Sequence, residues 1–175
     1  MITKKFIEQA PKSDLHVHLD GSLRVPTLIE IARKDNISLP SFTPEGLYET
    51  VFKDNYESLE EYLAGFQYTV QAMQTPENLE RIAYEFARDN QNEGVRYVEV
   101  RFAPQLHMNS RMDLEGVMVS VNKGMERAAR EFNNSPTVLD GQEPRFVYGI
   151  IACALRSFGR MSEYYNVFLD AHPFS

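Results

Sequence analysis

Two histidines and an aspartate stand at alternate positions near the start of the chain, in the run His16-Val17-His18-Leu19-Asp20. Residues two apart in a β-strand project from the same face, so both imidazoles and the carboxylate would point one way. Imidazole nitrogens are common zinc ligands, and a catalytic zinc site uses about three protein ligands and leaves a position for water. The pair is therefore a candidate for part of a metal site, and a purely structural role for the two histidines remains the alternative.

The surrounding pattern predicts the elements that would position these residues. Three β-rich runs alternate with longer stretches of helical periodicity. The runs are 14–20, 95–102 and 146–155, and the helical stretches begin near Pro26, Ser58, Thr75 and Asp113. This alternation is typical of parallel α/β folds. No glycine-rich dinucleotide-binding turn follows the first strand, which favours a (β/α) barrel with its site at the carboxyl ends of the strands.

Capping signals and charged positions add local predictions. Ser58 and Glu61 form a capping box, and apolar residues at helical spacing predict one helix that continues to Met73. Glu99 and Arg101 share a strand face, and we interpret them as a structural charge network inside a barrel. Two further histidines have no partner motif and are interpreted as surface or loop residues. These are His107 and His172.

Composition excludes several classes of function. The chain has 175 residues, of which 18 are Lys or Arg and 25 are Asp or Glu, so its net charge of −7 disfavours binding to nucleic acid or to an anionic membrane. The single cysteine, Cys153, excludes an intrachain disulfide framework and a zinc site built from several thiolates. No apolar run reaches the roughly 18–20 residues of a membrane span. We expect one globular domain in the cytoplasm.

Several segments resemble the adenosine deaminase family of the metal-dependent amidohydrolases. Residues 11–22 resemble its first strand, and residues 58–66 resemble the helix that covers its purine site. Residues 82–86 with 95–104, and residues 150–156, resemble its second helix–strand unit and its third strand. The resemblance implies a (β/α)8 TIM-type barrel, incomplete here, with about the first three β/α units and inserted helices. Residues 1–175 would then form the amino-terminal half of such a barrel domain.

The resemblance also implies roles for individual residues. His16 and His18 match two ligands of a single zinc ion, Asp20 matches the acid that contacts the nucleoside at its ribose, and Gly21 belongs to the same motif. In that family, water activated by zinc replaces the amino group at C6 of adenine, which gives inosine and ammonia. Apolar positions that match the purine pocket are Leu59, Tyr62, Leu63, Phe66 and Leu155.

Other parts of the family pattern do not occur in these 175 residues. The family carries a third zinc histidine and its catalytic glutamate in a His-Ala-Gly-Glu motif on a later strand, and that motif is missing from this sequence. We therefore expect the catalytic residues to lie beyond Ser175, in a longer deaminase, and the chain alone to be inactive. An open half barrel leaves a sheet edge unpaired, so self-association through that edge is expected.

Two alternatives stay open beside the zinc-dependent deamination of adenosine or a related purine nucleoside. One is a non-catalytic half barrel that binds or associates with a partner. The other is a purine deaminase of the adenine or AMP type, although no nearby cluster of Lys and Arg suggests a phosphate pocket. A cytidine-deaminase type of enzyme is excluded, because it needs H-x-E and P-C-x-x-C motifs. The expected partner is a small purine nucleoside.

Overall fold

A computed structural model describes residues 2–155 of the chain. Its sheet has three parallel strands, β1 (Lys12–His18), β2 (Val95–Phe102) and β3 (Val147–Ala152), in the spatial order β1-β2-β3. Neighbouring strands that follow one another along the chain are typical of a (β/α) barrel. The predicted parallel α/β class is therefore confirmed.

Helices make up both connections between the strands. Helix α1 (Lys4–Gln9) precedes β1. The helices of the two connections are α2 (Val25–Asp35), α3 (Pro44–Thr50), α4 (Leu59–Ala64), α5 (Phe66–Ala72), α6 (Pro76–Asn92), α7 (Leu114–Asn133) and α8 (Pro136–Leu139). Helices α2 to α6 lie between β1 and β2, which explains the wide spacing of these two strands in the sequence. None of the helices within residues 2–155 has both the length and the apolar character to cross a membrane.

The two long helices begin where side-chain caps predict. Thr75 accepts a hydrogen bond from the backbone N–H of Asn78 at 3.2 Å, and a proline follows it at the first helical position of α6. Asp113 accepts from the N–H of Gly116 at 2.8 Å at the start of α7. Each bond satisfies a backbone donor that the first helical turn leaves without a partner.

The helix predicted from residue 58 to residue 73 is broken at Gly65 into α4 and α5. Ser58 does accept from the N–H of Glu61 at 3.1 Å, but the Glu61 carboxylate accepts from the N–H of Glu57 instead of closing the capping box. The N–H of Gly65 bonds to the carbonyl of Tyr62, a tighter i→i−3 pattern. No residue of α4 is buried, so this short helix presents its apolar side chains outward.

Helices cover one face of the sheet, and no element within residues 2–155 covers the other, which is called the open face below. Val98, Val100 and Phe102 of β2 are almost completely buried in a core that α6 and α7 share. The alternate residues of β2 project from the opposite face, where Tyr97 is 37% exposed. The two histidines of β1 are exposed and lie on this open face.

His107 is buried, so the prediction of a surface position is wrong. It follows the short 3-10 turn Pro104–Leu106, has no exposed surface, and packs against Phe102 with 5.7 Å between ring centroids. Neither ring nitrogen has a hydrogen-bond partner among the described residues. Burial lowers the pKa of His107 to about 4, and the backbone of Met73 opposes this only in part. His172 lies outside the described residues.

This buried imidazole should make stability depend on pH. The unfolded chain binds a proton at His107 below pH 6.5, whereas the folded protein excludes it down to about pH 4. The neutral His107 side chain therefore makes its full contribution to the free energy of unfolding above the pKa of the unfolded chain. That contribution is lost as the pH falls toward the pKa of the folded protein. We expect a loss of about 2 kcal/mol between pH 7 and pH 5, measured by urea unfolding at both pH values. In His107→Leu this part of the pH dependence should disappear. An unchanged pH dependence in that variant would show that His107 is not its cause.

Candidate functional site

The carboxyl end of β1 brings two imidazoles together on the open face of the sheet. The rings of His16 and His18 lie 5.5 Å apart between centroids, at an interplanar angle of 35°. Val17 and Leu19 project to the other side, where Leu19 is completely buried and Val17 packs against the core. The alternation predicted for this strand is therefore present. A register irregularity between Asp14 and Val17 in the pairing with β2 precedes the second histidine.

Asp20 lies beside this pair, two residues after the end of β1. The side chain is buried, and its Oδ1 lies 3.8 Å from Nδ1 of His18. That oxygen has no hydrogen-bond partner among the described residues. Burial raises the pKa of the Asp20 carboxyl, and the neighbouring His18 and the backbone of Asp20 and Gly21 oppose the shift. A desolvated acceptor with unused hydrogen-bonding capacity is suited to bind a polar group of a ligand.

Hydrogen bonds hold the turn that carries Asp20. The Ser22 hydroxyl donates to the carbonyl of His18 at 2.7 Å, and the backbone N–H of Ser22 donates to the carbonyl of Leu19 at 3.1 Å. Arg24 ends the turn and donates two hydrogen bonds to Asp89 on α6, from Nε at 2.8 Å and from Nη2 at 2.5 Å. The strand end, the turn and α6 are thus connected.

A cavity of about 370 Å³ opens beside this turn. Asp20 and Gly21 line one part of it, and Tyr62 and Phe66 line another, so four of the predicted substrate residues meet here. Tyr62 makes edge-to-face contacts with Tyr56 at 5.2 Å and with Phe66 at 5.5 Å between ring centroids. Such a row of rings is suited to contact a flat aromatic base.

Three aromatic residues of this cavity were not predicted. Tyr48 lies on α3, and Phe52 and Tyr56 lie in the irregular segment that follows it. The spacing of four residues between successive rings was a signal in the sequence that could have found them. Arg24, the cationic side chain of the lining, was not predicted either.

Comparison with known proteins assigns the family. The family model described as adenosine deaminase matches residues 11–157. The chain belongs to the adenosine deaminase family. An adenosine deaminase of Clostridium botulinum is 45% identical over 127 residues, which cover 72% of this chain and 38% of that relative. The chain therefore spans well under half the length of the curated relatives it matches.

Solved structures agree on the fold. An N6-mAMP deaminase of Arabidopsis superposes with a TM-score of 0.58 and 29% identity, covering 72% of this chain and 37% of that one. A Burkholderia ambifaria amidohydrolase with bound zinc superposes with a TM-score of 0.63 and 19% identity, covering 97% of this chain and 52% of its own. The predicted fold, an incomplete TIM-type barrel, is confirmed.

The remaining substrate residues that the family resemblance implied are not among the residues that line the cavity. Leu59 and Leu63 on α4 are 65% and 52% exposed. Leu155 lies half-buried in the irregular segment after β3. Their roles in substrate binding stay predictions. Glu99 and Arg101, predicted to form a structural charge network, lie on the open face. The Glu99 carboxylate accepts a hydrogen bond from the Tyr97 hydroxyl, and the Arg101 guanidinium donates one to the Leu15 carbonyl.

The donor chemistry of the strand end fits part of a metal site of this family. Two imidazoles lie side by side on the open face of β1, and the unpartnered carboxylate oxygen of Asp20 adjoins them. Within residues 2–155 no group of three or more His, Cys, Asp or Glu is placed to hold a metal ion. The described residues therefore offer two neighbouring imidazoles as candidate nitrogen ligands, His16 and His18, and a catalytic zinc site uses about one protein ligand more.

Proposed function

We propose that the complete protein containing this chain deaminates adenosine, or a related purine nucleoside, hydrolytically. Water supplies the oxygen that replaces the amino group at C6, and the products are inosine and ammonia. The observation that carries the proposal is the pair of imidazoles at the end of β1, adjoining Asp20 and the aromatic cavity. Membership of the adenosine deaminase family supports it.

His16 and His18 would hold a divalent cation, and we propose zinc because the Burkholderia amidohydrolase contains it. Zinc lowers the pKa of water from 15.7 to about 7, which makes a nucleophile available near neutral pH. The further ligand and the catalytic acid and base would follow Ser175. In this proposal residues 1–175 form the amino-terminal half of the barrel, and the protein is cytoplasmic, which its single cysteine supports.

The other residues of the site would bind and orient the nucleoside. Asp20 would accept hydrogen bonds from ribose hydroxyls, since its Oδ1 is desolvated and unused. Tyr62 and Phe66 would contact the purine and exclude water, with Gly21 allowing close approach beside the Phe66 ring. Leu59, Leu63 and Leu155 would complete the apolar wall.

One specific observation favours a second candidate, association of the chain through the sheet edges that have no partner strand within residues 2–155. Leu15 is 55% exposed and Val147 is 52% exposed, and both lie on strands at the two edges of the sheet. Unpaired strand edges with exposed apolar residues are typical association surfaces. We propose that the isolated 175-residue chain self-associates through these edges.

A single set of measurements tests both candidates. The complete gene product, loaded with zinc, should release ammonia from adenosine faster than from adenine or adenosine 5′-monophosphate, followed by ammonia release and by inosine formation. The isolated chain 1–175 should give no turnover and should sediment as an oligomer. Absence of ammonia release from all three purines would contradict the deaminase. A monomeric isolated chain would contradict the association surface.

A further inference from the structure

Among the described residues that line the cavity, Arg24 alone is cationic. It immediately precedes α2, and Asp89 on α6 binds its guanidinium through two parallel hydrogen bonds. The two side chains are 39% and 41% exposed, so the pair is partly solvated and lies outside the core. The two residues are 65 positions apart in the sequence. Their ion pair connects the turn after β1 to α6, the longest helix between β1 and β2.

This pairing removes the feature that a phosphate would need. A guanidinium binds phosphate through the same forked donors that here are bound by a carboxylate. With Asp89 in place, the positive charge of Arg24 is neutralised and its Nε and Nη2 donors are occupied. The carboxylate of Asp20 lies in the same lining and adds a further acidic group. The cavity therefore suits an uncharged ligand better than an anionic one.

We propose that Asp89 is a specificity-determining residue that, by binding Arg24, makes the cavity select a nucleoside over a nucleoside 5′-monophosphate. The inference rests on the proposed function. Both ligand classes are relevant to this fold, because a structural neighbour is named for a nucleotide substrate. Release of Arg24 from Asp89 would free the guanidinium of this lining residue for a phosphate.

Helix α6 offers a matched control. Glu80 binds Arg127 of α7 at 2.8 Å, and these side chains are 34% and 39% exposed. The two pairs thus share chemistry, helix and exposure, but neither Glu80 nor Arg127 lines the cavity. Partly exposed ion pairs contribute little to stability, so Asp89→Asn and Glu80→Gln should both fold.

The test compares adenosine with adenosine 5′-monophosphate in the complete gene product. In Asp89→Asn the ratio of kcat/KM for the nucleotide to that for the nucleoside should rise about tenfold or more, as expected for a gained charge-assisted hydrogen bond. The gain should shrink as salt is added. Glu80→Gln should leave the ratio unchanged, and Arg24→Gln combined with Asp89→Asn should restore the original ratio.

Equilibrium binding of the products separates the two possible failures. In Asp89→Asn the Kd for inosine divided by the Kd for IMP should rise, as the kcat/KM ratio does. This measurement needs no catalysis. An unchanged ratio in Asp89→Asn would overturn this inference, and so would a raised ratio that persists in the double variant. In either case, turnover of adenosine by the wild-type protein would leave the proposed function intact. If the wild-type protein deaminates no purine, the proposed function fails, and the binding ratio still decides whether Asp89 excludes phosphate.

Discussion

Replacing His18 with alanine should lower kcat/KM for adenosine by about a thousandfold or more. The substitution removes one of the two imidazoles that we assign to the metal, and a metal ion supplies several kcal/mol of stabilisation to such a transition state. His16→Ala should have a similar effect, because its ring lies beside that of His18 on the same strand face. Turnover of adenosine and the zinc content of the purified protein are the two measurements. Both should fall together.

The loss should not come from unfolding. The His18 side chain is 51% exposed and belongs to the open face of β1, so its removal leaves no cavity in the core. Ser13→Ala provides a control, since Ser13 is also exposed on β1 but lies at the other end of the strand. That variant should keep its activity and its zinc. Full zinc content and full turnover in His18→Ala would exclude this histidine as a ligand.

Local features of the fold could be predicted from the sequence because their causes are local. Strand β2 begins and ends where predicted, at Val95 and Phe102. Gly94 precedes it with a φ of 84°, which a residue with a side chain rarely adopts, and Pro104 follows it closely. The common direction of His16 and His18 follows from the two-residue period of a strand alone.

Features that depend on distant partners could not be predicted in the same way. Nothing in the spacing of residues indicates that Arg24 binds Asp89, because the pair forms only when α6 packs beside the turn after β1. The burial of His107 has the same origin, since the core closes over it against Phe102. The break at Gly65 has a different origin. Gly65 keeps ordinary helical dihedral angles, with φ of −62° and ψ of −34°, and the change to i→i−3 hydrogen bonds that separates α4 from α5 leaves the apolar periodicity intact.

The site therefore divides into two parts with different origins. The candidate metal ligands belong to one strand and are visible in five consecutive residues. The cavity combines the turn after β1 with α3, α5 and the segments between them, and its aromatic wall depends on how these elements pack. A pair of candidate metal ligands can be inferred from a motif. Selection between substrates, as we propose it, depends on contacts such as that of Arg24 with Asp89, which only the fold creates.

Substitution of Gly124 by alanine should destabilise the protein by more than about 3 kcal/mol. Gly124 lies in the middle of α7, where it is buried against α6. An added Cβ would overlap the carbonyl oxygen of Glu80 and would come within 2.8 Å of the Ala83 Cβ and of the Tyr84 backbone nitrogen. These are mainly backbone atoms that cannot rotate away, so the two helices would have to separate.

Gly116→Ala, in the first turn of the same helix, is the matched control. An added Cβ there would meet the Met112 Cγ at 3.1 Å and the Asp113 Oδ1 at 3.2 Å. The Met112 side chain can rotate away, and the Asp113 carboxylate, which caps the helix, need move by only a few tenths of an ångström. Alanine is favoured over glycine in a helix by up to about 1 kcal/mol, which should offset that contact. Urea unfolding of both variants measures the difference, and equal stabilities would contradict close packing of α6 on α7.

Because α6 also carries Asp89, Gly124→Ala should weaken nucleoside selection along with stability, whereas Gly116→Ala should leave both unchanged.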